Sequence, residues 1–473
     1  MKLFLKKELI LFLIISIGIF FRIYNLNFDN LWYDEIISFW VANPSFSYQE
    51  TSFFHNQIET TSILYNLILK SFYQIFGYSA FNGRLLSAVI SILSIFSIIY
   101  LDKQINKNYS YIFSAFLISL NIFLIGYSQE LRNYSLFFLT TSLTLIYFIK
   151  YSDNTNNIRN LFIFSIILFI NILVHPYGLI LLFSIFFYEL LKAYFKKKTS
   201  ILMIASLIII LMLSSIFYYQ LFVSTSILET DYWGWLKNPS LSFYTNFYFS
   251  NYFGSRLVGG IHLLILIFLI IKNFSEIKKI NYLSLFLIII LFSYIIPILF
   301  GYLLKPTILP RYVMFNLIPI ILLISTLAFR FESKKIKLSI IAILSLLTIG
   351  NHLTEQTIKQ IYQTREASKP EYVKAINHIS ESNFNKYSIK VKNMKDNISS
   401  INAIRNYVNY LSQDLIFIDI NKQNIRDVKF WFLCTLDINS SECKIPVYYQ
   451  NHSKLLEQKQ FNSIILKLIE IKK

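Results

Sequence analysis

Residues 201–222 read ILMIASLIIILMLSSIFYYQLF and carry no charged side chain. A helix crosses the hydrocarbon core of a bilayer with about 20 apolar residues, so this stretch is long enough to span it once. Its apolar residues run continuously rather than alternating, which points to a helix and away from a barrel strand. Similar stretches recur at 8–26, 80–101, 109–127, 133–150, 159–174, 177–194, 257–272, 281–303, 311–329 and 336–351. With 201–222 they predict about eleven transmembrane helices. Of the 473 residues, 55% are hydrophobic and 18% aromatic, more than a soluble chain can cover with polar surface.

The formal net charge is +18. Most of the excess lies in short stretches between spans: Lys6-Lys7, Lys103 to Lys107, Lys196-Lys197-Lys198, Lys278-Lys279 and Lys334-Lys335. Clusters scattered in this way follow the positive-inside rule and argue against a nucleic-acid partner. With the N-terminus in the cytoplasm, an odd number of spans puts every one of these clusters inside and the C-terminus outside. The first span has no small-residue cleavage site and carries Arg22 near its far end, so it reads as a retained anchor rather than a signal peptide.

After about residue 351 the long apolar runs stop. Segments 371–382 and 400–412 have helical amphipathic patterns, and 389–391, 415–420, 430–436, 445–449 and 464–471 have strand patterns. The expected organisation is a transmembrane module over 1–351, with an outer catalytic loop at 27–79, and a small extracytoplasmic α/β domain over 352–473. Cys434 and Cys443, the only cysteines, both fall in that domain. An oxidising compartment permits a short-loop disulfide between them, and two free thiols are the competing reading.

Charged residues are nearly absent from the middle of the spans and gather at the outer ends: Arg22, Asp34, Glu35, Glu59, Arg84, Glu130, Arg132, Arg256 and Arg311, with His175 at an outer turn. A transporter or flippase would line a path through the spans with acids, which this chain lacks. An enzyme acting on a lipid-linked substrate needs a carboxylate to take the acceptor proton and cations to offset charge on a leaving phosphate. Asp34 or Glu35 suits the first task, and Arg132 and Arg311 the second, because the guanidinium fork matches phosphate oxygens. Each has a plainer reading. Asp34 suits the N-cap of a short helix through Trp40, Glu130 and Arg132 suit an interfacial pair, and His175 suits a kink before Pro176. Arg311, Arg84 and Arg256 suit snorkelling anchors. A non-catalytic assembly subunit is the third class of function. Segment 63–76, interrupted by Lys70 and Gln74, reads as an amphipathic helix at the interface, and Tyr232-Trp233-Gly234-Trp235 as an aromatic anchor.

Several segments together resemble a known family, the bacterial GT-C type membrane glycosyltransferases related to protein O-mannosyltransferases and lipid A aminoarabinose transferases. Leu31-Trp32-Tyr33-Asp34-Glu35 resembles the family's W-x-D-E segment. Glu59-Thr60-Thr61-Ser62-Ile63-Leu64-Tyr65 lies where the family has an acid before H-P-P-L-Y, with the two prolines replaced here by Ser62 and Ile63. Gly83-Arg84-Leu85-Leu86-Ser87-Ala88 is similar to R-L-P-S-A, with Leu86 for the proline. Tyr127-Ser128-Gln129-Glu130-Leu131-Arg132-Asn133-Tyr134 is close to Y-S-Q-E-A-R-x-Y, and His175-Pro176-Tyr177-Gly178 and Pro310-Arg311-Tyr312 resemble further segments. The resemblance covers about residues 8–330. It implies Asp34 as catalytic base with Glu35 beside it, and Glu59, Glu130, Arg132, His175, Arg311 and Tyr312 as substrate-binding residues. It implies a polyprenyl-phosphate sugar as donor, a lipid, glycan or protein hydroxyl as acceptor, inversion by single displacement, and a place in the bacterial plasma membrane. Relatives differ in whether a divalent metal takes part, so metal ligands stay unassigned.

Overall fold

The computed structural model describes all residues except 1, 60, 107, 197–198, 225–248, 278–280, 305, 355–368, 386, 394–397, 413–428, 436–442, 444–452 and 472–473. In chain order the helices used below are α1 (Lys2–Ile23), α2 (Tyr33–Val41), α3 (Tyr48–Ile58), α4 (Leu64–Phe76), α5 (Ala80–Ile105), α6 (Ser110–Ser119), α7 (Ile122–Ser128), α8 (Tyr134–Asp153), α9 (Ile158–Val174), α10 (Gly178–Lys196), α11 (Ile201–Ser224), α12 (Arg256–Lys272), α13 (Tyr282–Leu303), α14 (Leu317–Phe329), α15 (Lys334–Thr354), α16 (Tyr372–Glu381) and α17 (Ile398–Leu411). The strands are β1 (Ile389–Asn393), β2 (Lys429–Thr435), β3 (Ser453–Phe461) and β4 (Ile464–Ile471). The chain forms two compact units: residues 1–24, 60–65 and 84–363, and residues 25–59, 66–83 and 364–473.

The first unit is helical. A helix stands at each of the eleven segments expected to span, one of them broken between α6 and α7. Among the described residues six helices are long and apolar enough to cross a bilayer, and a seventh span results if the bent α6–α7 pair is counted as one. α9 and the segment Met314–Phe329 are shorter apolar helices. α11 shows why its sequence is apolar all round: Leu207 is buried, whereas Ile201, Ile209, Met212, Ile216 and Tyr219 are exposed on a face suited to lipid. With apolar surroundings on both sides, polar contacts fasten the helices to each other. Asn171 of α9 donates to Thr140 Oγ1 and Thr141 Oγ1 of α8, each at 2.9 Å. Asp102 of α5, fully buried, accepts from Asn106 at 2.7 Å and from Ser110 at 2.6 Å, and Ser114 of α6 also donates to it.

The second unit contains a four-stranded sheet ordered β1-β2-β4-β3. β1 and β2 are parallel, joined through a connection that contains α17; β2–β4 and β3–β4 are antiparallel. β2 is buried along almost its whole length, as its apolar run Phe430–Cys434 demands. β3 is an exposed edge strand with a bulge between Leu455 and Glu457, and its Lys, Glu and Gln residues hide the strand pattern from the sequence. The expected strands at 415–420 and 445–449, and the aromatic loop at 232–235, lie outside the described residues. The segment that follows α1 packs in this unit. Tyr407 of α17 accepts from the Leu31 N–H at 3.1 Å, Tyr33 and Ser400 hydroxyls meet at 2.6 Å, and Tyr78 donates to Phe39 O at 3.1 Å. α4 is amphipathic as expected. Lys70 does not interrupt it idly, because its ammonium caps the carbonyls of Asn43 and Phe46 at 2.8 and 2.6 Å.

Cys434 and Cys443 form a disulfide within the core of this unit, beside Phe430, Phe432, Ile465 and Ile469. A cross-link closing so short a loop stabilises by about 2–3 kcal/mol through the unfolded chain. The Cys434→Ala/Cys443→Ala protein is therefore expected to melt several degrees lower at this unit, as followed by scanning calorimetry. An unchanged transition would show that the bridge contributes nothing.

Candidate functional site

The adjacent acids Asp34 and Glu35 occupy the first turn of α2. Trp32, not Asp34, is the N-cap, with extended backbone (φ −87°, ψ 172°). Glu35, third in the helix, accepts from the Trp32 N–H at 3.2 Å, while the Trp32 side chain has no oxygen to offer in return. The Glu35 carboxylate also pairs with Lys369 at 3.1 Å and is fully buried. Asp34 is half-buried on the same turn. Adjacent helical residues point about 100° apart, so the two carboxylates do separate things. Glu35 fastens the helix start to the segment bearing Lys369; Asp34 is the more accessible acid. Glu59 is the buried C-cap of α3, and its N–H donates to the His55 carbonyl at 2.8 Å. His55 itself is buried with Nδ1 3.0 Å from the Asn66 amide nitrogen.

In the first unit, three separate segments meet. α7 ends at Ser128 and runs into Gln129-Glu130-Leu131-Arg132, α9 ends at Val174 with His175 as its C-cap, and the turn before the 3-10 segment Met314–Asn316 carries Arg311 and Tyr312. Arg311 interacts with the Tyr127 hydroxyl, and its guanidinium lies 5.5 Å from the centre of the Tyr312 ring. The His175 ring lies 5.1 Å from Tyr312, 5.3 Å from Tyr177 and stacks on Phe137 at 4.9 Å. Tyr134 closes the group, 5.3 Å from Tyr127 and 6.5 Å from Tyr312. The result is an aromatic cluster carrying two guanidinium groups and the Glu130 carboxylate, which faces Tyr127. The glycine of His175-Pro176-Tyr177-Gly178 is required by close packing, since a Cβ on Gly178 would come within 2.8 Å of the Ile172 Cα.

Tyr177 N–H donates to His175 Nδ1 at 3.2 Å, so the imidazole proton sits on Nε2. Burial, with the Arg132 and Arg311 charges adding to it, pushes the His175 pKa down to about 3. The folded group thus binds fewer protons than the unfolded one. Its contribution to stability is full above the unfolded pKa of about 6.5 and is lost as pH falls from there toward 3. Between pH 5 and 8 the ring stays neutral. The pH–activity profile is accordingly expected to keep its shape in His175→Gln, whatever happens to the rate. An inflection near pH 6.5 that vanishes in the variant would contradict this.

The structure therefore brings Glu130, Arg132, His175, Arg311 and Tyr312 together in one unit, and Asp34, Glu35 and Glu59 belong to the other. Two cations named in the sequence reading are buried, which the sequence did not show. Arg84, taken there as an anchor, is 2% exposed, and Arg22 is 1% exposed. Arg256, by contrast, is exposed at the start of α12, as an anchor should be. Among the described residues no group of three or more His, Cys, Asp or Glu side chains is arranged to hold a metal ion.

Residues 60–219 match the family model described as Dolichyl-phosphate-mannose-protein mannosyltransferase. No curated protein sequence matches significantly. Among solved structures, the chain is similar to ArnT from Cupriavidus metallidurans in the apo state, with a TM-score of 0.60 at 10% identity over 96% of this chain and 97% of that one. ArnT of the same organism bound to undecaprenyl phosphate matches with a TM-score of 0.56, again at 10% identity over 96% and 97% of the two chains. The archaeal oligosaccharyltransferase AglB from Archaeoglobus fulgidus, in complex with an inhibitory peptide and a dolichol-phosphate, matches with a TM-score of 0.52 at 10% identity over 98% of this chain and 74% of that one. The chain thus has the GT-C membrane fold that the motifs led one to expect, a multi-pass helical module with a small sheet-bearing domain.

Proposed function

We propose that this protein is a membrane glycosyltransferase that moves a sugar from a polyprenyl-phosphate donor to a hydroxyl on a lipid, glycan or protein. The acceptor oxygen attacks the anomeric carbon, the bond from that carbon to the phosphate oxygen breaks, and the configuration inverts. Asp34 takes the acceptor proton as it leaves. Arg132 and Arg311 hold the departing polyprenyl phosphate, whose negative charge grows in the transition state. Tyr312 and neutral His175 flank the phosphate, the latter as a donor from Nε2. Glu130 and Glu59 orient sugar or acceptor hydroxyls, and Glu35 keeps α2, and so Asp34, in place.

The observation that carries this reading is the convergence of Arg132 and Arg311 on one aromatic cluster from segments 179 residues apart (311 − 132). Support comes from the matched family's description, which names a lipid-phosphate sugar donor, and from structural neighbours in complex with undecaprenyl phosphate and dolichol-phosphate. We place the reaction on the outer face of the bacterial plasma membrane, with the N-terminus in the cytoplasm. The Cys434–Cys443 disulfide supports an oxidising compartment for the C-terminal domain. Native mass spectrometry of the purified protein with added polyprenyl phosphate tests the phosphate site. Wild type is expected to retain the lipid and Arg132→Met/Arg311→Met to lose it. Equal retention would mean that these arginines do not hold it.

A further inference from the structure

The span formed by α6 and α7 breaks at Leu120-Asn121, where there is neither proline nor glycine, and the two helix axes diverge by 55°. A sharp bend without either residue arises where a π-bulge, a water or a side chain interrupts the hydrogen-bond ladder. Within a bilayer, each carbonyl released by the break must also find a donor. Three successive carbonyls find theirs on other helices. Arg22 of α1 donates from Nη2 to Ile118 O at 3.0 Å and from Nη1 to Ser119 O at 2.8 Å. His352 of α15 donates from Nε2 to Leu120 O at 2.7 Å. Arg22 also donates to Gly18 O and Ser91 Oγ, both at 2.9 Å, and among the described residues no carboxylate pairs with it. Its charge instead sits against the negative end of the α6 dipole. Gly18 makes room for this approach, since a Cβ there would lie 2.7 Å from the Ser119 Cβ.

The segment beyond the break is tied down too. Asn121 accepts from Leu124 N–H and donates to Tyr252 O, each at 2.9 Å. Tyr252 in turn donates to Val313 O at 2.6 Å, two residues past Arg311. At the far end of α7, Gln129 donates to Phe21 O at 2.9 Å and Tyr24 O at 3.1 Å, in and just after the last turn of α1. The residue before Glu130 is thus fastened to the helix that carries Arg22.

We propose that Arg22 is a positioning residue for transfer: by holding the α6–α7 break open it sets the direction of α7 and so places Glu130 and Arg132 beside Arg311. This rests on the assignment of Arg132 and Arg311 to the donor phosphate. His352 shares the task at the third carbonyl.

Arg22→Met removes the donors while keeping most of the bulk. Ile122→Pro restores a break by other means, because proline at the first helical position has no N–H to lose. The residue before it must be extended, and Asn121 already is (φ −66°, ψ 116°). In lipid, Arg22→Met is expected to raise the KM for a polyprenyl-phosphate sugar about 10- to 100-fold, as misplacement of a binding group does. Adding Ile122→Pro is expected to recover most of that loss. If Arg22→Met does not purify as a folded protein, Arg22→Lys takes its place and is expected to give an intermediate KM. Spin labels on Tyr109→Cys and Gly126→Cys report the break without any chemistry, since both native cysteines are bridged. Straightening should lengthen their separation by about 3 Å. An unchanged KM in Arg22→Met, or a proline that restores nothing, overturns the proposal. If the wild type consumes no donor, the transfer reading falls and with it this role for Arg22, while the label distance still reports whether the guanidinium holds the break.

Discussion

Asp34→Asn is expected to lower the rate of sugar transfer by about 10²–10⁴-fold, the usual worth of a positioned general base. The amide keeps the size and shape of the carboxylate but cannot take a proton from the acceptor. Folding should survive, because Trp32 is the N-cap and Glu35 is the acid that reaches back to it. That division of labour makes the comparison with Glu35→Gln informative. Glu35 is fully buried and paired with Lys369, so its neutralisation removes a charge pairing inside the fold and should act on stability first. Initial rates and melting temperatures of the two variants separate the roles. A folded Asp34→Asn protein with wild-type rate would remove Asp34 from the chemistry.

Arg311→Ala is the second large effect. Loss of a charge-assisted, two-pronged contact to a phosphate in a water-poor site costs about 2–4 kcal/mol, or roughly 30- to 1,000-fold in kcat/KM. The KM for the donor should rise, because the phosphate is present in the ground state, and kcat should fall as well, because its charge increases on departure. Arg311→Lys is expected to recover part of the binding but not the two-pronged geometry. The KM for the acceptor should stay near its wild-type value. If acceptor KM moves and donor KM does not, Arg311 belongs to the other substrate.

Much of this architecture was legible in the chain because a bilayer leaves few options. A 22-residue uncharged run such as 201–222 can hardly be anything but a spanning helix, and α11 stands there. The charges at the ends of spans were legible as a set, since ionised groups are so costly among apolar spans. What stayed hidden depended on tertiary partners. Arg22 reads only as a charge near the end of the first span, and the broken ladder of α6 gives it a buried use. Asp34 reads as a cap as readily as a base, and only the backbone of Trp32 shows that it is not the cap. The packing of 25–59 and 66–83 with the C-terminal residues has no local signature, for it runs through single tyrosines such as Tyr78 and Tyr407. β3 was missed because an exposed edge strand need not alternate.

The central claim is chemical transfer from a lipid phosphate. The measurement that addresses it most directly follows polyprenyl-phosphate sugars incubated with the purified protein in vesicles containing extracted acceptors, with both lipid and acceptor analysed by mass spectrometry. The account predicts that wild type releases free polyprenyl phosphate and adds one sugar mass to an acceptor, and that Asp34→Asn does neither. Intact donor that has only changed leaflets, to the same extent with both proteins, would contradict it and make the protein a lipid translocator.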